Sequence, residues 1–538
     1  MSLNPPVILS SAMMRACDRY TIDALGIPSQ ALMEAAAKCA GQFLLKRRDL
    51  FPDGSILILC GSGNNGGDGF AMARFLSDGA LGTRCDVKIL YVGKATADGS
   101  PDVSHMSVEC ARQYRLAVGA GVSVLTGEAC DEALRSASTV VDAVFGIGLD
   151  RPVTGEIASL FHSVRGSGLP VLAVDIPSGI DADTGRIQGV AISAKATVTM
   201  QALKAGHLLY PGAELCGEIE VCDLGISLEP ASVPLGYLVD ASLLRRILPP
   251  RNRRTHKGTY GTVDLLCGSD GMCGAAVLSA LGTLRSGAGL VRVLTPMCNR
   301  AVLQTAVPEA IVSVYESPTE AACNARGDGL LIGCGLGVSE MAKQAMEAVL
   351  NARNRDSSRP VVIDADGLNL LAKHSELWDS ALLSDPQKQV VLTPHPAEMA
   401  RLSGESMTHI TEDLPGSALR YACEHGVTVV LKDTHTVIAS PDGTLFICAA
   451  GNAGMAKGGS GDVLAGIIGS LLTQNRQKIG HDLTVAEVAA AAVYLHAAAG
   501  DLTARELGEY GMLPSDLIQR IPSVCRDFSD SRTTILFP

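Results

Sequence analysis

The residues best suited to chemistry lie in a glycine-rich segment, residues 61–69, with the sequence Gly-Ser-Gly-Asn-Asn-Gly-Gly-Asp-Gly. The apolar run 56–60 before it predicts a buried strand, and the spacing of apolar residues over 70–76 predicts a helix after it. A strand-to-helix loop of this kind presents backbone N–H groups and a helix N-terminus to a ligand, usually a phosphate. The loop also contains two amide side chains and a carboxylate, which a site that only binds phosphate does not require. The loop is therefore predicted to orient a nucleotide and also to do chemistry or hold a cation.

A different interpretation of the same loop is a dinucleotide fingerprint. Gly61, Gly63 and Gly66 satisfy G-x-G-x-x-G, and Asp86 stands where a ribose-binding acid is expected. Asp68 argues against it, because a carboxylate in the loop repels a pyrophosphate seated there. An ordinary glycine-rich turn is the remaining alternative.

Further polar groups follow later strands of the first half. Asp142 leads into a glycine loop, and Asp175 and Ser178 flank a proline turn. Either aspartate alone could be a structural turn residue. In a parallel sheet, however, groups at the carboxyl ends of strands share one edge. Together with Asn65 and Asp68 they therefore indicate one polar pocket.

The second half carries its own glycine-rich loop before an apolar helix. Residues 457–462 have the sequence Lys-Gly-Gly-Ser-Gly-Asp. Successive glycine N–H groups can stabilise the charge on a phosphoryl group during transfer. Asp462 lies in the predicted first helical turn, where the helix dipole favours the ionised form of a general base. The alternative is an N-capping aspartate after a flexible loop.

These loops need scaffolds, and the chain is long enough for two. It has 538 residues, of which 47% are hydrophobic and 19% charged, so two large globular domains are expected. Strand-like and helix-like segments alternate in the first half and again from Thr262. The predicted fold class is thus α/β throughout, a doubly wound parallel sheet followed by a second α/β domain. The composition changes between residues 226 and 255, where we place the boundary.

Charge and cysteine usage limit the partners and the compartment. The net charge of −12 disfavours nonspecific binding to nucleic acid or to an anionic membrane. The 16 cysteines are scattered, which favours free, mostly buried thiols in a reducing compartment. Neither a signal peptide nor a run of membrane-spanning length is recognised. We expect a cytoplasmic protein that forms a homo-oligomer and binds neither nucleic acid nor membranes.

The first-half motifs, in this order along the chain, resemble the NAD(P)HX epimerase family. The resemblance implies a Rossmann-like domain over residues 1–228 that interconverts the R and S hydrates of NADH and NADPH with a bound potassium ion. It implies that Asp175 is the acid–base group and that potassium is bound by Asn65, Asp142 and Ser178, whose oxygen atoms suit a hard cation. The substrate contacts it implies are Asn64, Asn65, Gly66, Gly67, Asp68, Gly146, Ile147, Gly148, Leu149, Asp150, Arg151, Pro152 and Asp175.

The second-half motifs resemble the ribokinase superfamily and, within it, the ADP- or ATP-dependent NAD(P)HX dehydratases. Segments 256–261, 333–337 and 393–398 carry the narrower match. The resemblance implies a ribokinase-like domain over residues 237–538 that phosphorylates the S-hydrate and then eliminates phosphate. It implies hydrate contacts at Gly335, His395 and Asp462, with Asp462 as the base. The nucleotide contacts it implies are Lys432, Asp433, Thr434, His435, Thr436 and Gly461.

The nucleotide is expected to be ADP, by analogy with members that hold both domains in one chain, with ATP as the other candidate. A magnesium ion is expected with its phosphates. Four positions depart from the usual family residues: Ile147 replaces Thr, Ala397 replaces Gly, and Asp433 and His435 replace small residues. One alternative is a vitamin-precursor kinase in the second half. The other is a first half that is a non-catalytic nucleotide-binding module.

Overall fold

A computed structural model describes residues 5–127, 130–353, 358–381, 389–477 and 483–529. The chain divides into two compact units, Val7–Leu235 and the remainder from Gly236 with the residues before Val7. Both are α/β with mainly parallel sheets, so the predicted fold class is confirmed.

The first unit is built on seven parallel strands in the order β4-β3-β2-β5-β6-β7-β9, and its strands β1 and β8, which are not in this sheet, pair with each other in parallel. Its strands are β1 Val7–Leu9, β2 Ile56–Cys60, β3 Val87–Tyr91, β4 Ser123–Thr126, β5 Thr139–Ala143, β6 Val171–Val174, β7 Ala196–Met200, β8 Leu203–Lys204 and β9 Glu218–Cys222. Its helices are α1 Ser11–Asp23, α2 Ser29–Lys46, α3 Asn64–Asp78, α4 Val108–Gly119, α5 Cys130–Ser136, α6 Gly155–Ser167 and α7 Ala213–Cys216.

The strand order of this sheet reverses between β2 and β5, which makes the gap beyond their carboxyl ends the ligand-binding crevice of a doubly wound sheet. The strand predicted at 56–60 is present as β2, and the later strand-like runs 87–92, 139–144 and 171–175 form β3, β5 and β6, to within one residue at their ends. The helix after β2 differs from the prediction. It begins at Asn64 rather than near Phe70, so residues 64–69 form its first turns and only residues 61–63 form the loop.

Two glycines explain how a helix fits so close to the sheet. A Cβ on Gly61 would lie 2.1 Å from the carbonyl oxygen of Val144, and one on Gly69 would lie 2.8 Å from the Cβ of Ala143. Such distances are shorter than any real carbon contact, so side chains here would push α3 away from β5. The first helical turn therefore carries its polar residues directly over the switch point.

The second unit has a longer mixed sheet. Strands β13-β12-β11-β14-β15-β16-β17 are parallel, β17-β18-β19 are antiparallel, and β10 joins β19 in parallel. The strands are β10 Gly236–Leu238, β11 Thr262–Leu266, β12 Leu290–Thr295, β13 Ile311–Val314, β14 Gly329–Ile332, β15 Val361–Ile363, β16 Val390–Leu392, β17 Thr428–Leu431, β18 Thr436–Ala439 and β19 Leu445–Cys448.

The helices of the second unit cover this sheet, and β11 and β14 form its switch point. They are α8 Ala241–Ile247, α9 Cys273–Arg285, α10 Arg300–Ala306, α11 Pro318–Asn324, α12 Glu340–Arg353, α13 Asp366–Lys373, α14 Glu376–Ala381, α15 Pro396–Ser403, α16 Met407–Glu412, α17 Leu414–His425, α18 Ser460–Arg476, α19 Val485–Leu507 and α20 Pro514–Ser529.

Helix α19 corrects one sequence expectation. It is long and apolar enough to cross a membrane by length and composition, although no segment of that length was predicted. Its most apolar window is 72% buried inside the domain, packed with α18 and α20, as a core helix is.

The cysteines also depart from expectation in one place. Cys39 on α2 and Cys222 at the end of β9 are joined by a disulfide, with their Cα atoms 6.4 Å apart. The remaining cysteines are free thiols, and half of them are buried.

Candidate functional sites

The first site is a cavity of about 490 Å³ beyond the carboxyl ends of β2, β5 and β6. Its wall includes Asn64, Asn65 and Asp68 of the first turns of α3, residues 146–149 after β5, and Asp175 after β6. Of the polar groups predicted to share one pocket, Asn65, Asp68 and Asp175 do line one cavity, whereas Asp142 and Ser178 are fully buried and do not belong to its wall. The topology explains this, since parallel strands end at one edge of the sheet.

Asp175 is held by charge and by an unusual backbone. Its φ angle is +71°, which residues other than glycine seldom adopt. Its Oδ1 accepts a hydrogen bond from Lys204 Nζ at 2.8 Å, and its Oδ2 accepts one from the Ile147 N–H at 3.1 Å. Burial raises the pKa of Asp175, but the Lys204 ammonium outweighs burial and the net pKa is lowered. Asp175 is thus a carboxylate at neutral pH.

Lys204 was missed by the sequence reasoning. Its side chain is completely buried, and Nζ also donates to Thr199 Oγ1 at 2.7 Å. His207 lies behind the pair, with Nε2 2.8 Å from the carbonyl oxygen of Asp175, and burial lowers the pKa of His207 to about 4, so it is neutral. The signal for Lys204 was its place just after β7, the neighbour of β6.

The pKa of Asp68 is shifted in the opposite direction to that of Asp175. Burial, with the nearby charges of Asp175 and Asp18 adding to it, raises its pKa well above the usual range. The pocket therefore pairs a carboxyl group of raised pKa with one of lowered pKa. Groups whose pKa values are pushed apart in this way can serve as acid and base in one reaction.

A cluster of oxygen atoms lies beside Asp175. The Asp142 carboxylate accepts hydrogen bonds from Ser178, at 2.6 Å from the hydroxyl and 2.7 Å from the N–H. Asn65 is buried, and neither its amide oxygen nor its amide nitrogen has a hydrogen-bond partner in the described chain. An ideal Cβ at Gly146 would lie 2.7 Å from Asp175 Oδ2 and 3.4 Å from Asn65 Cγ, which places the amide beside the catalytic candidate.

An orphaned buried amide costs about 1–3 kcal/mol, so a ligand is expected there. Amide, carboxylate and hydroxyl oxygens are the donors that hard cations take. Burial raises the pKa of Asp142 to about 6, against the hydrogen bonds of Ser178, and a bound cation would favour its ionised form. The donor atoms of the three residues predicted to bind potassium are therefore of the kinds that such an ion takes.

Some predicted substrate contacts do not face the cavity. Gly66 and Gly67 pack inward, where an ideal Cβ would lie 1.9 Å from the Gly61 carbonyl oxygen and 2.8 Å from Met33, respectively. Asp150, Arg151 and Pro152 are exposed and do not belong to the cavity wall. Asp86 is exposed and precedes β3, with its carbonyl accepting from Ile56 N–H, so it lies at the edge of the sheet opposite the pocket.

The second site lies at the N-terminus of α18. Asp462 is in the first turn of α18, as predicted, and Gly461 is next to it. A Cβ on Gly461 would lie 3.3 Å from Lys432 Nζ and 3.8 Å from Asp364 Oδ2. Lys432 Nζ donates to Asp364 Oδ1 at 2.8 Å. The site thus combines two carboxylates, one ammonium and a glycine loop.

The ionisation of Asp462 differs in cause from the sequence expectation, which invoked the helix dipole alone. Burial and the charge of Asp364 raise its pKa to about 6, against the hydrogen bond of Cys334 and the charge of Lys432. A pKa close to the working pH suits a general base. Asp364 was missed, although it directly follows the correctly predicted strand β15.

The remaining predicted residues surround this site at different depths. Gly335 follows β14 with φ +62°, and its carbonyl accepts from Ser269 Oγ at 2.9 Å. His395 caps α15, with Nδ1 accepting from Ala397 N–H at 3.1 Å, yet 49% of its side chain stays exposed. It therefore has both the structural role and the free surface that a ligand contact needs.

The predicted nucleotide segment is the turn from β17 to β18. Lys432 lies at its start, and its N–H donates to the Pro394 carbonyl at 2.8 Å. Asp433 and Thr434 are exposed at the tip, His435 is partly buried, and Thr436 opens β18. Among the contacts described above, Lys432 is the residue of this segment that lies beside Asp364 and Asp462.

Two α/β domains, each with ionisable side chains beyond the carboxyl ends of its parallel strands, define a two-domain enzyme of small nucleotide-like substrates. Residues 263–523 match the family model described as NAD(P)H-hydrate dehydratase. Residues 29–206 match the one described as YjeF-related protein N-terminus.

Two relatives match this chain over nearly its full length. A bifunctional NAD(P)H-hydrate repair enzyme of Moorella thermoacetica is 35% identical, over 98% of this chain and 98% of its own. The Escherichia coli enzyme of that name is 35% identical, over 95% and 92%. Among solved structures, an ADP/ATP-dependent NAD(P)H-hydrate dehydratase of Bacillus subtilis, crystallised with ATP and Mg²⁺, is 33% identical over 54% of this chain and 98% of its own, with a TM-score of 0.47.

The chain belongs to the family of bifunctional NAD(P)H-hydrate repair enzymes. The expectation of one enzyme with an epimerase half and a dehydratase half is confirmed.

Proposed function

We propose that this chain returns hydrated nicotinamide nucleotides to NADH and NADPH, with residues 1–228 as the epimerase domain and 237–538 as the dehydratase domain. The observation that carries the proposal is the shared cavity of Asn65, Asp68 and Asp175 beside the Asp142–Ser178 pair. A non-catalytic nucleotide-binding module has no need of a buried ion pair and an orphaned amide in its pocket.

In the epimerase, Asp175 is the base and Asp68 is a proton donor. The lowered pKa of Asp175 leaves its carboxylate able to accept a proton from the hydrate, and the raised pKa of Asp68 leaves its carboxyl able to give one. Lys204 compensates the charge of Asp175 when the pocket is empty. When Asp175 becomes protonated, the Lys204 ammonium is freed to stabilise negative charge on the substrate.

Potassium would be held by Asn65, Asp142 and Ser178. When bound, it would add a second fixed positive charge to a pocket that already holds the Lys204 ammonium. The loop at 146–149 then carries the phosphate contacts, through the N–H groups that line the cavity.

In the dehydratase, Asp462 accepts the proton of the S-hydrate's ring hydroxyl as that oxygen takes the terminal phosphoryl group of the nucleotide. The N–H groups at the start of α18 stabilise the charge on the transferred group. Phosphate then leaves with the ring oxygen as the neighbouring ring carbon loses a proton to solvent, and the double bond formed between the two carbons restores NADH or NADPH. With ADP the other product is AMP, and with ATP it is ADP.

The nucleotide contacts proposed are residues 432–436 and Gly461, with Gly335 and His395 on the hydrate. A magnesium ion would accompany the phosphates of the nucleotide. ADP is proposed as the preferred nucleotide. We further propose a cytoplasmic homo-oligomer whose partners are these small molecules.

The test is a repair assay on the full chain. Purified R-hydrate and S-hydrate of NADH are supplied separately, with ADP and ATP in parallel and with potassium or lithium salts. We expect NADH absorbance to return from S-hydrate with nucleotide alone, and from R-hydrate with nucleotide and potassium. No return of absorbance, with a phosphorylated product accumulating instead, would indicate the vitamin-precursor type of kinase.

A further inference from the structure

The dehydratase site contains a thiol that its proposed chemistry does not use. Cys334 lies in the loop after β14, and its Sγ is 4.0 Å from Asp364 Oδ2. The thiol and one carboxylate oxygen each of Asp364 and Asp462 all lie within 4.8 Å of one another. The buried thiol of Cys267, which directly follows the adjacent strand β11, is a neighbour of the Cys334 thiol.

The separations suit one small ion. Zinc takes thiolate sulfur at about 2.3 Å and carboxylate oxygen at about 2.0–2.2 Å, so its tetrahedral ligand atoms are about 3.5 Å apart. Side-chain rotations that move each ligand atom by less than about 1 Å bring the three groups to that spacing. Cys334 and Asp364 are buried but Asp462 is partly exposed, so the cluster opens toward the substrate side.

The charges also suit a divalent ion. Two carboxylates and one thiolate carry three negative charges, and the Lys432 ammonium on Asp364 Oδ1 offsets one of them. A divalent cation balances the rest while Lys432 keeps its partner, because the cation takes Oδ2. The thiolate decides the class of metal, since soft sulfur ligands select zinc-like ions over magnesium.

We propose that Cys334, Asp364 and Asp462 form a binding site for a thiophilic divalent cation, Zn²⁺, with water as the fourth ligand. Binding displaces the thiol proton of Cys334 and ties up the carboxylate of Asp462. Zn²⁺ thereby inhibits the dehydratase, a consequence that rests on the role of Asp462 given under the proposed function. The binding itself does not depend on that role.

The probe is Co²⁺ alone, titrated anaerobically into the full chain without nucleotide. The reference protein carries Cys298→Ser, Cys323→Ser and Cys423→Ser, which removes the exposed thiols. We expect one cobalt per chain with a thiolate-to-cobalt absorption band and the visible spectrum of a tetrahedral site. One equivalent of Zn²⁺ should abolish both.

Adding Cys334→Ser should remove the thiolate band and weaken cobalt binding by about tenfold or more. Adding Cys525→Ser, at a partly buried thiol of the same domain, is the matched control and should change neither. Thermal unfolding of each variant verifies that it is folded. Absence of the band in the reference protein, or its persistence in Cys334→Ser, overturns the proposal.

A second measurement separates this inference from the proposed function. Zn²⁺ should inhibit dehydration of S-hydrate in the reference protein, and about tenfold more Zn²⁺ should be needed in Cys334→Ser. Cobalt binding without any hydrate repair would refute the proposed function and leave the site standing. Hydrate repair without cobalt binding would refute the site alone.

Discussion

The Lys204 ammonium lies 2.8 Å from Asp175 Oδ1, and its side chain has no exposed surface. A buried charge without a partner costs several kcal/mol, so each member of this pair depends on the other. Asp175 nevertheless keeps its second oxygen in the cavity, hydrogen-bonded only by the Ile147 N–H within the described chain. The pair therefore fixes the base while leaving one face of it for substrate.

Removing either charge should abolish epimerisation selectively. We expect Asp175→Asn and Lys204→Met each to lower epimerisation of purified R-hydrate by about 100-fold or more, since proton transfer contributes about 10²–10⁴. Dehydration of S-hydrate should be unchanged. Chromatography of the two hydrates without nucleotide measures the first reaction. Lys195→Met, at an exposed lysine at the edge of β7, is the matched control. Wild-type rates of epimerisation in both variants would contradict the assignment of Asp175 as the base and of Lys204 as its partner.

The dehydratase should show an acid limb set by Asp462. Its pKa of about 6 means that kcat/KM falls tenfold per pH unit below that value, because the base must be deprotonated in the free enzyme. Asp462→Asn should lose the reaction by at least about 100-fold and leave epimerisation intact. Asp442→Asn, on an exposed turn of the same domain, is the control. A pH profile that stays flat down to pH 5 would contradict a titrating base.

Potassium should stabilise the first domain in a pH-dependent way. The pKa of Asp142 is raised from 3.8 to about 6, so the folded state binds this proton more tightly than the unfolded state. Stability from this group is present below pH 4 and is lost as pH rises to about 6. A bound cation offsets that loss, so the potassium-induced rise in melting temperature should be larger at pH 7 than at pH 5.

Two variants make the potassium prediction specific. Asn65→Ala should remove the potassium-induced shift. Asn64→Ala should retain it, because Asn64 is exposed and its amide oxygen accepts from Ser107 Oγ at 2.7 Å instead. Equal shifts with potassium and lithium in the wild type would mean a general salt effect.

The disulfide between α2 and β9 should stabilise only the first domain. Reduction, or Cys39→Ser, should cost about 2–4 kcal/mol of its unfolding free energy. The single tryptophan, Trp378, lies in the second domain, so its fluorescence follows the unfolding of that domain. We expect the fluorescence transition to keep its midpoint, while the calorimetric unfolding transition of the first domain moves to lower temperature. Cys85→Ser, at a partly exposed free thiol of the first domain, is the control. A shift of the fluorescence transition would show that the effect is not local.

Much of this was accessible from sequence because strand ends have clear signals. Asp142, Asp175 and Asp462 were placed by the apolar runs and glycines around them, and parallel topology then brought Asp142 to Ser178, in the turn that follows Asp175. Lys204 escaped prediction because its importance comes from a single long-range contact with Asp175. Asp364 escaped because an aspartate after a short apolar strand is a common turn residue.

The sequence also did not show which residues face the cavity and which are buried in the packing of the domain. Glycines 66 and 67 match the family motif, yet they serve the packing of α3 and do not face the cavity. The pairing of Cys39 with Cys222 is separated by 183 positions, so spacing alone could not suggest it. In each case a tertiary contact, rather than a local pattern, decides the role.

Because α3 begins as early as Asn64, insertions and deletions in its first turns are restricted. Asn65 and Asp68 are three positions apart on one helix and so project from the same face. One inserted or deleted residue between them would rotate one by about 100° relative to the other and turn it out of the pocket. Active relatives should therefore vary freely in length before Gly61 and after Asp78, but they should align without gaps from Asn64 to Asp68.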